Sequence, residues 1–118
     1  MIDNKTPQDK DNFYSKVYDI VKQIPIGKVT SYGAIAEAIG LRSSARMVGW
    51  ALNAAKEQTD IPFHRVVNRN GDLTGQRFFA TPTLMRELLE SEGVSFIGDA
   101  VDMSKHLWKP LEEMGKFK

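Results

Sequence analysis

Two apolar-patterned stretches, YGAIAEAIG and ARMVGWALNAAKEQ, are separated only by LRSS, and this spacing constrains the fold more than any other feature of the chain. Both stretches carry helical periodicity. Gly40 ends the first. Thr30 or Ser31 can cap the first helix, and Ser43 or Ser44 the second, by accepting hydrogen bonds from the free N–H groups of the opening turn. Two helices joined by about four residues fold back on one another, and a second helix opening with serine, alanine and arginine reads as a helix-turn-helix. That signal alone is weak, because many small helical hairpins touch no nucleic acid.

The remaining elements follow from local patterning. From Asp11, FYSKVYDIVKQI sets Phe13, Val17, Ile20, Val21 and Ile24 along one stripe of an amphipathic helix, which Pro25 and Gly27 stop. Residues 1–10 read as a flexible tail. The ARMVGWALNAAKEQ helix buries Val48, Leu52 and Ala55. IPFHRVV reads as an extended apolar piece, and NRNG as a turn with Gly71 at positive φ. A further helix begins at ATP, with Thr81 as cap, Pro82 in the first turn, Leu84, Leu88 and Leu89 inward, and Gly93 as its stop. VSFIGDAVDM alternates on either side of Gly98-Asp99 and predicts a small hairpin. HLWKP reads as a packed end, because Trp108 is too large to expose at little cost. With 118 residues, 42% of them hydrophobic, one domain spanning 1–118 is expected.

Composition narrows the chemistry. The chain has no cysteine, which excludes disulfides, cysteine-ligated zinc and thiol nucleophiles together. Its two histidines, His64 and His106, share no ligand spacing, so no metal or other cofactor is expected. No apolar run approaches the about 18 residues a membrane span needs, and the polar start MIDNKTPQDKDN lacks a signal peptide's apolar core. A cytoplasmic monomer is expected, nucleoid-associated if the source is bacterial. The net charge of +1 conceals a basic middle segment: residues 41–79 carry six arginines and lysines against three acids. Five of the six are arginines, at 42, 46, 65, 69 and 77, the residue suited to phosphate forks and to stacking on bases.

His64 could act as a general base with Glu92 orienting it, but a base needs a proton to remove, and the preceding residue, Phe63, offers none. The competing reading is a buried imidazole satisfied by a carboxylate or carbonyl, with Arg65 bracing the turn through carbonyl contacts.

Four ordered segments, SYGAIAEAIG, SSARMVGWAL, IPFHRVVNRNG and LLESEGV, resemble the C-terminal domain of the O6-alkylguanine-DNA alkyltransferases over roughly residues 12–97. That family carries Pro-Cys-His-Arg-Val, whose cysteine takes the alkyl group. Phe63 stands at that position, so the chain resembles more closely the alkyltransferase-like proteins, which lack the cysteine, commonly have tryptophan or alanine there, and bind alkylated DNA without repairing it. The resemblance implies a mainly α, α+β fold: a small winged helix-turn-helix-like DNA-binding domain.

It also implies roles. Ser44, Ala45 and Gly49 would let the recognition helix approach the minor groove. Arg46 matches the arginine finger that fills the space of an extruded nucleotide, and Tyr32 the tyrosine that turns the target phosphate outward. Tyr32, Leu52, Phe63 and Val66 would form the alkylguanine pocket, with main-chain carbonyls at Phe63 and Val66 facing the guanine edge. In a relative within the alkyltransferase-like class an arginine on the following loop contacts the base; an ungapped count puts Gln76 there, with Arg77 beside it and preferred. His64 and Glu92 match the pair that activates the cysteine and would here hold the pocket's shape. The implied function is non-enzymatic: a sensor of O6-alkylguanine in duplex DNA that flips the base and passes the lesion to nucleotide-excision-repair proteins. The alternatives are a helix-turn-helix regulator reading the major groove as a dimer, and a residual hydrolase or glycosylase using His64 and Glu92.

Overall fold

The structure, a computed structural model, describes residues 7–40 and 43–114. Helix α1, Pro7–Lys22, presents Val17, Ile20 and Val21 inward with no exposed surface. It begins four residues before the expected start, so residues 7–10 of the expected tail are helical, while 1–6 lie outside the described residues. Proline at the first helical position is compatible with this, since the N–H it lacks would have had no partner there.

Strand β1, Thr30–Ser31, leads into helix α2, Tyr32–Ile39, which Ser31 caps by accepting from the Ala34 N–H at 3.1 Å. Helix α3, Ala45–Ala54, is capped in the same way by Ser44, which accepts from Met47 at 3.2 Å. The helices pack on each other and on α1, with Val48, Ala51, Leu52 and Ala55 inside. Tyr18 on α1 donates to the Ala51 carbonyl at 2.7 Å and fixes α1 to α3.

IPFHRVV is not extended throughout. Phe63–Arg65 form a single 3-10 turn, and only Val66–Val67, strand β2, are extended. Strand β2 pairs in parallel with β1, Thr30 opposite Val66 and Ser31 opposite Val67. Successive strand side chains point to opposite faces. Val66 therefore enters the cluster formed by α1, α2, α3 and Trp108, while Val67 enters a second one with Val29, Leu73, Met85, Leu89, Val94 and Val101.

Gly71, at φ 88°, allows the NRNG turn to close against the second cluster: a Cβ there would lie 2.6 Å from the Val101 carbonyl oxygen. A second 3-10 turn follows at Gln76–Phe78, then helix α3's successor in the chain, α4, at Leu84–Ser91. Thr83, not Thr81, takes the N-cap position; its hydroxyl bonds Glu87 at 2.8 Å instead of capping the backbone. With Pro82 in the preceding turn, α4 buries Met85 and Leu89, and Leu84 and Leu88 are only half-buried. Strands β3, Phe96–Ile97, and β4, Ala100–Val101, form the expected hairpin. Helices α5, Met103–His106, and α6, Pro110–Met114, complete a mainly helical domain; Trp108 is buried in the first cluster, and its backbone N–H donates to the Val29 carbonyl at 2.7 Å.

Candidate nucleic-acid interface

Helix α3 buries one face and leaves Ala45, Arg46, Trp50 and Asn53 exposed on the other. Gly49 lies within this outer face, and a Cβ added there would meet no atom within 4 Å. The fold therefore gives no reason for a mid-helix glycine, which costs about 1 kcal/mol relative to alanine. The arrangement leaves bare backbone between Arg46 and Trp50.

This face forms one wall of an open cleft of about 460 Å³. Leu52 and Phe63 contribute apolar surface, Tyr32, Thr74 and Gly75 contribute further lining, and Arg77, Phe78 and Phe79 contribute the rest. Among the described residues three cations line it, Arg46, Lys56 and Arg77, and no acid does. Phe63 meets Phe79 edge-on, ring centroids 5.4 Å apart at 68°. Phe78 lies beneath the Lys56 ammonium at 5.5 Å and the Arg77 guanidinium at 4.8 Å, both within cation–π range. The Tyr32 hydroxyl accepts from Thr74 Oγ1 at 3.3 Å, tying the start of α2 to the loop after β2.

Two expected pocket residues lie elsewhere. Val66 is 1% exposed and packs in the first cluster, because the β1–β2 pairing turns its side chain inward. Gln76 lines a separate depression with Asp72, Thr83, Arg86 and Asp99, because the 3-10 turn directs Arg77 and Gln76 to different surfaces. The Phe63 carbonyl already accepts the Val66 N–H, leaving one lone pair for another donor. Of the basic segment, Arg65 is turned inward, Arg69 is exposed on the NRNG turn, and Arg42 lies outside the described residues.

Directly behind Phe63, the 3-10 turn swings His64 and Arg65 onto one carboxylate. His64 Nε2 lies 2.8 Å from Glu92 Oε2, while Arg65 donates Nε to Oε1 at 3.0 Å and Nη2 to Oε2 at 2.8 Å. Arg65 Nη1 also donates to the Ile24 carbonyl at 2.9 Å, past the end of α1. Burial alone would raise the Glu92 pKa, but the hydrogen bonds and charges of Arg65 and His64 outweigh it and hold the carboxyl below its ordinary value. An ionised carboxylate only accepts, so His64 Nε2 carries the hydrogen it shares. His64 does not line the cleft, and the ring beside it has no proton to give. The trio acts as a brace joining α1, α4 and the cleft floor.

A cation-lined cleft beside a helix-turn-helix, with the Phe63 of Pro-Phe-His-Arg-Val at its floor, agrees with the family comparison. The family model for the DNA-binding domain of 6-O-methylguanine DNA methyltransferase matches residues 12–94. The chain belongs to this family. Within it, the chain is 39% identical over 105 residues to alkyltransferase-like protein 1 of Schizosaccharomyces pombe, covering 85% of this chain and 97% of that one. It is 39% identical over 114 residues to the DNA base-flipping protein of Escherichia coli, covering 88% and 84%. The fold superposes on S. pombe Atl1 in complex with damaged DNA containing O6-carboxymethylguanine, with a TM-score of 0.72, 38% identity, and 85% and 97% coverage. The domain is thus an alkyltransferase-type DNA-binding fold whose family nucleophile position holds phenylalanine.

Sequence reasoning did not anticipate Trp50, Lys56, Phe78 and Phe79 in the cleft, or the Arg65–Glu92 fork. Trp50 carried a usable signal, since it lies one helical turn after Arg46. The fork carried none, because its partners are 27 residues apart.

Proposed function

We propose that this protein is a non-enzymatic sensor of O6-alkylguanine in duplex DNA. The observation that carries the reading is the cleft itself: three cations, no acid and an aromatic floor where the family's nucleophile would stand. Helix α3 docks in the minor groove over its small residues Ser44, Ala45 and Gly49. Arg46 enters the base stack, where its planar guanidinium both stacks and neutralises charge. Tyr32 helps rotate the target phosphate outward. An O6-modified guanine pairs poorly, so extruding it costs less than extruding guanine, and this difference supplies selectivity. The extruded base rests against Phe63, Leu52 and Arg77. With no thiol to accept the alkyl group, the protein holds the lesion as a monomer in the cytoplasm and passes it to nucleotide-excision-repair proteins.

The test uses matched duplexes carrying guanine or O6-methylguanine with a labelled methyl. Lesion-selective binding with the label retained on DNA is the expected result. Equal affinity for the two duplexes overturns the sensor, and label appearing on protein or in solution overturns the non-enzymatic assignment.

A further inference from the structure

The chain holds two tryptophans and treats them oppositely: Trp108 is 7% exposed in the core, whereas Trp50 is 56% exposed on the outer face of α3. An indole is among the most costly side chains to leave in water, and it is enriched where a partner removes it from water. Trp50 lies four residues after Arg46, on the same face of the helix. Gly49, just before it, has no side chain to cover it, and the ring is left more than half exposed. Arg46 is the sole charge on α3, and Lys56 and Arg77 line the same cleft with no acid. This charge pattern selects a polyanion as the occupant.

We propose that Trp50 is a second DNA-contacting side chain, an apolar wedge that packs into the minor groove at the base step beside the one Arg46 enters. The assignment rests on the docking mode given under Proposed function. One helical turn rises about 5.4 Å, which spans one to two base steps of about 3.4 Å. Apolar wedges at such steps unstack the bases partially and bend the duplex towards the major groove. Because the wedge touches a flanking step rather than the lesion, it adds affinity for modified and unmodified duplex alike. Trp50 belongs to the α3 wall of the cleft, and selectivity remains with Arg46 and with the Phe63, Leu52 and Arg77 surface on which the base rests.

The full chain is titrated with O6-methylguanine and unmodified duplexes, following binding by anisotropy of labelled DNA and Trp50 by acrylamide quenching of tryptophan emission. On binding, quenching is expected to fall severalfold, since buried Trp108 contributes little to it in either state. Trp50→Ala, with folding checked by circular dichroism, is expected to weaken binding to both duplexes by about tenfold. The slope of log affinity against log salt stays unchanged, because an apolar contact releases no counterion, whereas Arg46→Ala reduces it by about one. Trp50→Phe recovers most of the loss. Affinity of Trp50→Ala within twofold of wild type overturns the proposal. So does a Trp50 that stays fully quenchable in the complex. If the wild-type chain binds both duplexes equally yet shields Trp50, the sensor reading falls and the wedge stands.

Discussion

At the scale of single residues, the cleft separates what reads DNA from what holds the reader in place. Arg46 is exposed on α3, so Arg46→Ala should leave the unfolding midpoint unchanged while weakening binding to the O6-methylguanine duplex by about 1–3 kcal/mol, measured by anisotropy. Glu92 belongs to the other group. Glu92→Gln removes the charge that gathers Arg65 and His64 and should destabilise the fold by about 1–3 kcal/mol in urea denaturation. Its pH dependence has a definite sign. A carboxyl held below its ordinary value of 4.5 contributes stability that is complete above that value and is lost as pH falls through the lowered one. The gap in unfolding free energy between wild type and Glu92→Gln should therefore narrow as pH falls below about 5.

At the scale of elements, α3 trades stability for access. Gly49→Ala should raise stability by about 0.5–1 kcal/mol, because helix propensity improves and nothing obstructs the new methyl group. Gly49→Leu should fold equally well in thermal melts yet weaken DNA binding on either duplex, since its side chain projects from the docking face. The NRNG turn behaves differently. Gly71→Ala combines a φ of 88° with a contact of 2.6 Å to the Val101 carbonyl, and should lower stability by about 1–3 kcal/mol, read from the denaturation midpoint. Elements whose signals are local were legible in the sequence: the α1 stripe, the Gly71 turn, the Gly98-Asp99 hairpin and the caps of α2 and α3 to within one of two neighbouring residues, Ser31 and Ser44 being the ones used. PFHR was misread as extended because a distant partner shapes it: Glu92, just past the end of α4, gathers His64 and Arg65. The phase of α4 shifted by one residue for a related reason. Met85 fills the second cluster, and Leu84 and Leu88 line a groove that also touches Phe63 and Phe79.

At the scale of the whole molecule, the two apolar clusters meet at β2. The Phe63 position and the His64–Glu92 pair were legible through the motif. The aromatic and cationic lining around them was not, because Lys56, Phe78 and Phe79 converge only after the chain has folded. Occupancy of the cleft should raise the melting temperature of the entire chain in a single transition, with saturating lesion duplex in the calorimeter. A separate early transition for α4 and the hairpin would contradict this coupling. The coupling has its origin in five consecutive residues with four destinations: Phe63 to the cleft, His64 and Arg65 to Glu92, Val66 to one cluster and Val67 to the other. Adding or deleting a single residue between 63 and 67 would misdirect all of them together, so this segment can vary in side chain but not in length.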